Sequence, residues 1–87
     1  MTGETQESQA VVIYSTPGCG RCQAAADFFR DRGHPVTLLD VAHDFGALRR
    51  MAKLSNGART VPVIQYGQWV TVGFEADYWR EKLESGA

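Results

Sequence analysis

Cys19 and Cys22 are the residues of this sequence whose type and spacing best suit covalent chemistry. A disulfide between them would close a loop too short to constrain the unfolded chain much, which argues against a purely structural crosslink. In a reducing compartment, cysteines this close together are usually catalytic or metal-binding. In the catalytic case one thiolate attacks a substrate disulfide, and the second thiol resolves the mixed disulfide that forms.

A metal site is the competing interpretation of the pair. Structural zinc normally takes four ligands, and the chain has no second cysteine pair. The spacing of His34 and His43 does not match the closely spaced histidines of zinc fingers, so we expect neither to be a ligand. A two-thiolate copper(I) site remains open, because soft thiolates select that metal.

A second feature with chemical meaning is the segment Arg59-Thr60-Val61-Pro62. Pro62 lies near the start of an apolar run that is typical of a strand, yet proline cannot donate a hydrogen bond to a sheet. A cis peptide bond at a tight approach beside a functional group would explain this position. We therefore favour a cis bond before Pro62 over the alternative, an ordinary trans proline on an edge strand.

The elements predicted around the cysteines would make Cys19 reactive. An apolar strand at Ala10–Tyr14 is followed by a turn and then by a helix over Gly20–Arg32. Cys19 then lies at the start of the helix, where free N–H groups and the helix dipole favour a thiolate. Arg21 adds a nearby positive charge. We therefore predict a lowered pKa for Cys19, with Cys19 as nucleophile and Cys22 as resolving thiol.

The remaining hydrophobic pattern predicts the order β-α-β-α-β-β-α. The predicted strands are Ala10–Tyr14, Val36–Val41, Val61–Tyr66 and Trp69–Val72, and the predicted helices are Gly20–Arg32, Phe45–Ser55 and Phe74–Leu83. A helix joins the first two strands, so these should be parallel, whereas Gly67-Gln68 indicates a hairpin between the last two. The fold class expected is α/β, a four-stranded mixed sheet flanked by helices on both faces.

Helical spacing also predicts which side chains face the sheet. The expected buried sets are Ala25, Phe28 and Phe29 in the first helix, Phe45, Leu48 and Ala52 in the second, and Ala76, Trp79 and Leu83 in the third. Asp44 is expected to cap the second helix, and Asn56-Gly57 to end it.

Length and composition exclude several classes of protein. The 87 residues suit one domain, which we place at residues 10–87, after a polar and flexible tail at residues 1–9. A net charge of −1 argues against nucleic-acid binding. No apolar run approaches the ~20 residues needed to span a membrane, and the polar N-terminus does not resemble a secretory signal. We therefore expect a cytoplasmic protein.

The sequence resembles the glutaredoxins and their small glutaredoxin-like relatives, within the thioredoxin superfamily. The resemblance covers Ala10 to Leu83 and rests on three segments, Tyr14-Ser15-Thr16-Pro17-Gly18-Cys19-Gly20-Arg21-Cys22, Arg59-Thr60-Val61-Pro62-Val63-Ile64 and Val72-Gly73-Phe74. It implies a thioredoxin-like fold and a thiol-disulfide oxidoreductase that reduces protein or mixed disulfides. Its catalytic residues would be Cys19 and Cys22.

The resemblance also implies a binding groove beside the cysteines. The residues that would contact a substrate or thiol are Gly20, Arg21, Arg59, Thr60, Val61, Pro62, Gly73 and Phe74, and the Val61 backbone would pair with the bound chain. No bound cofactor or metal is implied, because the Cys19–Cys22 disulfide itself carries the electrons. The implied partners are disulfide-containing proteins and an electron donor, and we expect a monomer.

Three departures from the glutaredoxin pattern affect the choice of electron donor. Gly20 replaces the usual proline, Thr16 replaces a lysine that helps to bind glutathione in many members, and Glu75 places a carboxylate near the glutathione groove. The Gly73-Phe74 pair instead resembles redoxins that draw electrons from thioredoxin reductase. Glutathione, another low-molecular-weight thiol and thioredoxin reductase therefore all remain candidate donors.

Two further activities of the same cysteines stay open. Cys19 alone could remove glutathione from mixed disulfides. Some glutaredoxins that lack the proline bridge an iron–sulfur cluster between two subunits, and Gly20 leaves that alternative open, as a carrier function of a different class.

Overall fold

The computed structural model describes residues 10–85, so the tail predicted at residues 1–9 lies outside the described residues. The elements are β1 (Val11–Ser15), α1 (Gly20–Asp31), β2 (Val36–Asp40), α2 (Phe45–Leu54), β3 (Val63–Tyr66), β4 (Trp69–Val72) and α3 (Ala76–Ser85). Their order confirms the predicted β-α-β-α-β-β-α arrangement. None of the helices in this part of the chain is long and apolar enough to cross a membrane.

The four strands form one mixed sheet in the order β2-β1-β3-β4. β1 pairs in parallel with β2, and β3 pairs antiparallel with both β1 and β4. The parallel pairing follows from the helical connection through α1, and the antiparallel pairing of β3 with β4 follows from the two-residue turn between them. β1 therefore lies inside the sheet, and most of its side chains are buried, as its continuous apolar run predicted.

Helices cover both faces of the sheet. Val11 and Ile13 of β1 point to one face, where they join the buried side chains of Phe29 from α1 and Trp79 from α3. Tyr14 points to the opposite face, which α2 covers. The period-two alternation of a strand thus divides the core into two layers, one on each side of the sheet. This confirms the predicted α/β class.

The prediction for the buried face of α2 was wrong. Its buried side chains are Ala47 and Met51, whereas Phe45 and Leu48 are exposed and Ala52 is only half-buried. The Asp44 side chain accepts a hydrogen bond of 3.1 Å from the N–H of Ala47, as the predicted cap requires. This cap fixes where the helix begins, and the small Ala47 allows the helix to approach the sheet closely. The prediction placed the large side chains of Phe45 and Leu48 against the sheet, whereas the small Ala47 lies there.

Two elements begin two residues later than predicted. β3 begins at Val63 rather than at Val61, because Pro62 has no N–H group to donate to the sheet. α3 begins at Ala76 rather than at Phe74, and the N–H of Trp79 donates to the carbonyl oxygen of Glu75 at 3.2 Å. Phe74 therefore lies in the turn before the helix. The buried face of α3 is as predicted, since Trp79 is buried and Leu83 packs against the same core.

Candidate active site

Cys19 occupies the N-cap of α1, at the point where the chain leaves the sheet. Its backbone is extended, with φ −84° and ψ 107°, and its Sγ accepts a hydrogen bond of 3.1 Å from the N–H of Cys22. The first N–H groups of a helix have no partner within the helix, so a side-chain acceptor at this position satisfies one of them. A sulfur atom in this place receives both a hydrogen bond and the positive end of the helix dipole. This is the predicted geometry.

Gly18 makes the approach to the helix possible. It has φ +78°, a conformation that residues with a Cβ atom rarely adopt. The N–H of Cys19 donates to the carbonyl oxygen of Thr16 at 3.3 Å, closing a tight turn over this glycine. The turn begins immediately after β1 ends at Ser15, so it holds Cys19 at the carboxyl edge of the sheet.

The two cysteines differ sharply in their access to solvent. They form a disulfide with a Cα–Cα separation of 5.3 Å. Cys19 is half-buried, whereas only 2% of Cys22 is exposed. A disulfide or thiol from another molecule can therefore reach Cys19, whereas the buried Cys22 is placed to react with a group that is already bound to Cys19. This asymmetry suits a nucleophile and a resolving thiol.

A pocket of about 420 Å³ opens beside the disulfide. It is lined by Ser15, Thr16, Pro17, Gly18, Cys19, Gly20, Cys22, Gln23 and Asp40. Sequence analysis did not single out Asp40, which ends β2 opposite Ser15 of β1. The signal was present, because the carboxyl ends of parallel strands meet at the same edge of a sheet.

The Asp40 carboxylate is held in place by two hydrogen bonds. It accepts one of 2.9 Å from the N–H of Ala42 and one of 2.7 Å from the His43 ring. The hydrogen bond from His43 is the main reason that the pKa of Asp40 lies below its ordinary value, and the backbone bond acts in the same direction. Because the pKa of Asp40 is lowered, its carboxyl group is ionised at neutral pH, and this wall of the pocket carries a negative charge.

The second predicted segment lies at the same edge of the sheet. The Val61–Pro62 peptide bond is cis, as predicted, and Pro62 is buried. Val63, the next residue, pairs with Tyr14 of β1, which places the proline level with the end of that strand. The N–H of Gly73, which has φ +88°, donates to the carbonyl oxygen of Pro62 at 2.7 Å. The Gly73 turn therefore holds the proline loop.

The other predicted binding residues surround this edge with different exposures. Gly20, Arg21, Arg59 and Thr60 are exposed, and Val61 is half-buried. Within residues 10–85, the backbone of Val61 makes no hydrogen bond to another backbone group. Phe74 is half-buried and packs edge-on against Phe28, with ring centroids 5.5 Å apart.

The described part of the chain contains no group of three or more histidine, cysteine, aspartate or glutamate side chains that could hold a metal ion. His43 contacts Asp40, and the ring of His34 lies edge-on to Phe29 and Tyr66.

Comparisons with solved structures agree with this fold. The glutaredoxin-like NrdH-redoxin from Escherichia coli, known for a thioredoxin-like activity profile, superposes with a TM-score of 0.69 and 25% identity, covering 83% of this chain and 92% of that one. A buckwheat glutaredoxin in complex with glutathione superposes with a TM-score of 0.64 and 25% identity, covering 95% of this chain and 76% of that one.

Comparisons of sequence point the same way. N-acetyl-S-hydroxy-L-cysteine reductase from Bacillus subtilis (strain 168) is 29% identical over 58 residues, which span 67% of this chain but only 61% of that protein. The profile of the Glutaredoxin family matches residues 11–70, which include both cysteines and the cis proline. This chain is therefore a glutaredoxin-like redox protein with a Cys19–Cys22 pair, and it belongs to the glutaredoxin family.

Proposed function

We propose that this protein reduces disulfides of other proteins, or mixed disulfides, through the dithiol form of Cys19 and Cys22. The observation that carries the proposal is the asymmetry of the pair. Cys19 is accessible and accepts a hydrogen bond at the helix N-terminus, and Cys22 lies buried one helical turn away. We expect this chemistry in the cytoplasm, where thiols are kept reduced.

The reaction proceeds by two exchanges between thiolate and disulfide. The Cys19 thiolate attacks one sulfur of the substrate disulfide, forming a mixed disulfide and releasing the other substrate sulfur as a thiolate. The Cys22 sulfur, after loss of its proton, then attacks Cys19 and releases the second substrate thiolate. The substrate gains two electrons, and the protein ends with the Cys19–Cys22 disulfide.

The groove beside the pair supplies binding for this reaction. Val61 has backbone groups without backbone partners in the described residues, which supports pairing with an extended segment of a substrate. Exposed Arg59 and Arg21 offer positive charge for a carboxylate of a substrate or thiol, and Thr60 and Gly20 leave space beside them. Pro62 and Gly73 shape the loop, whereas Phe74 supports it from the core.

A reduction experiment with cysteine variants tests the proposal. The protein would be reduced with dithiothreitol, freed of it and mixed with a peptide disulfide, and the product thiols would be counted after acid quenching. We expect Cys19→Ser to abolish reduction, and Cys22→Ser to stop at a mixed disulfide visible by mass spectrometry. Release of both product thiols by Cys22→Ser would contradict the dithiol mechanism.

The electron donor needs a separate experiment, since the relatives point to different donors. One structural relative binds glutathione, and another has a thioredoxin-like activity profile. NADPH consumption would be followed with glutathione plus glutathione reductase and, in parallel, with thioredoxin reductase alone. Because exposed Glu75 opposes an anionic thiol and Thr16 supplies no positive charge, we propose thioredoxin reductase as the better donor. Faster turnover with glutathione would contradict this choice.

The Bacillus subtilis relative favours one second candidate, reduction of a small cysteine derivative oxidised at sulfur. The Cys19 thiolate would attack the sulfur of an S-hydroxy group and release hydroxide, and Cys22 would then free the reduced product thiol. Reaction of the reduced protein with a small sulfenic acid derivative, compared with a peptide disulfide, distinguishes the two. An iron–sulfur carrier would instead show colour and bound iron after purification.

A further inference from the structure

Charge is distributed very unevenly along the chain. Four of the nine basic residues, and none of the ten acidic residues, lie between Phe45 and Phe74. This segment therefore carries a net charge of +4, whereas the rest of the chain carries −5. The overall charge of −1 hides this separation. The segment includes α2, which alone covers one face of the sheet, so that face is the basic one.

The cations of α2 have no counter-ion among the residues that the structure describes. Arg49, Arg50 and Lys53 are exposed, and none of them forms an ion pair with any residue in the range 10–85. They line a surface depression of about 550 Å³ together with Gly46 and Ala52. Some cations of α1 and α3, by contrast, are paired, since Arg30 pairs with Asp27 and Arg80 pairs with Asp77. The α2 cations therefore offer charge to an outside partner without breaking an internal pair.

Exposed apolar side chains lie beside these cations. Phe45 is 73% exposed and Leu48 is 40% exposed, although both were expected to face the sheet. A large exposed aromatic ring next to unpaired arginines has the composition of a protein-binding surface, where aromatic and arginine residues are enriched. We name Phe45, Leu48, Arg49, Arg50 and Lys53 the α2 outer surface.

The α2 outer surface begins at the edge of the sheet that carries the cysteines. Asp40 lines the cysteine pocket, and the next residue, Val41, donates from its N–H to the carbonyl oxygen of Ser15 at 2.9 Å. Phe45 follows Asp40 by five residues, so the two lie within ~17 Å of each other even if the chain is fully extended. A polypeptide bound at Cys19 can therefore reach this surface with a few residues.

We propose that the α2 outer surface docks an acidic segment of the protein whose disulfide is reduced at Cys19. The inference rests on the proposed function and names the class of substrate. The partner is acidic because the surface presents three cations that form no ion pair within residues 10–85, and the neighbouring carboxylate of Asp44 is engaged in capping α2. It is a polypeptide because exposed Phe45 and Leu48 accompany the charges and the surface lies close to the cysteine pocket. Arg59, which serves the groove itself, is not part of this surface.

Two synthetic peptides test the proposal. Each contains one internal disulfide, with a five-residue Gly-Ser spacer on both sides followed by four glutamates in one peptide and four lysines in the other. The protein is reduced with dithiothreitol, freed of it, and mixed with each peptide, and the rate constant of the single reduction is measured after acid quenching. Each reaction transfers two electrons from the Cys19–Cys22 dithiol to the peptide disulfide, so no other donor is needed.

We expect the acidic peptide to react about tenfold faster than the basic peptide at low salt, with most of the preference lost near ~0.5 M NaCl. The variant Arg49→Gln/Arg50→Gln/Lys53→Gln should lose most of the preference. The control variant Arg30→Gln/Arg80→Gln/Lys82→Gln changes the net charge equally, but on the other helices, and should keep it. Thermal melting checks that both variants are folded.

The outcomes separate this proposal from the function on which it rests. Equal rates with the two peptides, or an equal loss of preference in the two triple variants, would overturn docking on α2. A neutral small disulfide, bis(2-hydroxyethyl) disulfide, is the reference substrate. If the unsubstituted protein reduces neither this compound nor the peptides, the proposed function fails. Reduction of the small compound without discrimination between the peptides would refute the docking surface alone.

Discussion

At the scale of single residues, the position of Cys19 explains why it rather than Cys22 should react with substrate. Its Sγ accepts a hydrogen bond of 3.1 Å from the N–H of Cys22, at the N-cap of α1. Both the hydrogen bond and the helix dipole favour the thiolate over the thiol in the reduced protein. The buried Cys22 has no comparable exposure to an incoming disulfide.

We predict that the thiol of Cys19 in reduced Cys22→Ser protein has a pKa below the ordinary value of about 8.5. The measurement is the rate of alkylation by iodoacetamide between pH 5 and 10, where the rate follows the thiolate fraction. Free cysteine in the same buffers is the control. A Cys19 rate that keeps rising through pH 8–9, as that of free cysteine does, would show that the helix terminus has no such effect.

The glycines on either side of Cys19 provide a matched test of backbone conformation. A Cβ atom added at Gly18 or at Gly20 would meet nothing within 4 Å, so space does not distinguish the two positions. Gly18 has φ +78°, whereas Gly20 is the first residue of α1. The conformational preference of alanine therefore acts in opposite directions at the two positions.

We predict that Gly18→Ala lowers the free energy of unfolding by about 1–2 kcal/mol, the cost of a left-handed residue with a side chain. Gly20→Ala should raise it by about 0.5–1 kcal/mol, because alanine restricts the unfolded chain in a conformation that the helix already uses. Urea denaturation of the oxidised proteins measures both values. Changes of the same sign would contradict the assigned conformations.

At the scale of elements, α2 packs against the sheet through Ala47 and Met51 and leaves Leu48 on its outer side. Met51 is only 1% exposed and shares a buried cluster with Ala47, Tyr14 and Val63. Leu48, three residues earlier, is 40% exposed. The two side chains are similar in size and lie on the same helix, so they form a matched pair for measuring what burial contributes.

We predict that Met51→Ala lowers the free energy of unfolding by about 2–5 kcal/mol, because it removes buried surface and leaves a cavity. Leu48→Ala should change it by no more than about 1 kcal/mol. Chemical denaturation of both variants at the same pH and salt measures the difference. A larger loss for Leu48→Ala would mean that α2 is rotated relative to the sheet.

The elements also show which parts of the fold could be predicted from sequence. The apolar run of β1, the turn before Cys19 and the cap at Asp44 are local patterns, and the structure confirms each. The cis bond before Pro62 was predictable because proline is awkward in a strand. The rotation of α2 was not predictable, since Phe45-Leu48-Ala52 and Ala47-Met51 are alternative stripes with the same helical spacing.

Asp40 was missed for a different reason. Its place in the cysteine pocket depends on the parallel register of β2 beside β1, which aligns it with Ser15. The sequence predicted the parallel pairing but not the register. Long-range register is set by packing of the whole sheet rather than by any local signal, so site residues that it supplies are harder to find.

At the scale of the whole molecule, the cations of α2 affect both the stability of the fold and the proposed docking of a partner. Like charges on one helix face repel, and Arg49 and Lys53 are four residues apart on α2. No acidic residue of α2 offsets them. The repulsion between these charges slightly destabilises α2, whereas the same charges can bind a partner of opposite charge. One substitution can measure both effects.

We predict that Arg49→Glu raises the free energy of unfolding by roughly 0.5–1 kcal/mol at low salt, since it replaces a repulsion with a favourable Glu-to-Lys pair at i,i+4. The gain should fade in about 1 M NaCl, where the charges are screened. Arg30→Glu on α1 is the control and should act in the opposite direction, because Arg30 pairs with Asp27. Urea denaturation at both salt concentrations measures each change, and a gain for Arg49→Glu that survives high salt would have a non-electrostatic origin. If the same Arg49→Glu protein also loses its preference for the acidic peptide, the repulsion on α2 is a stability cost associated with partner binding.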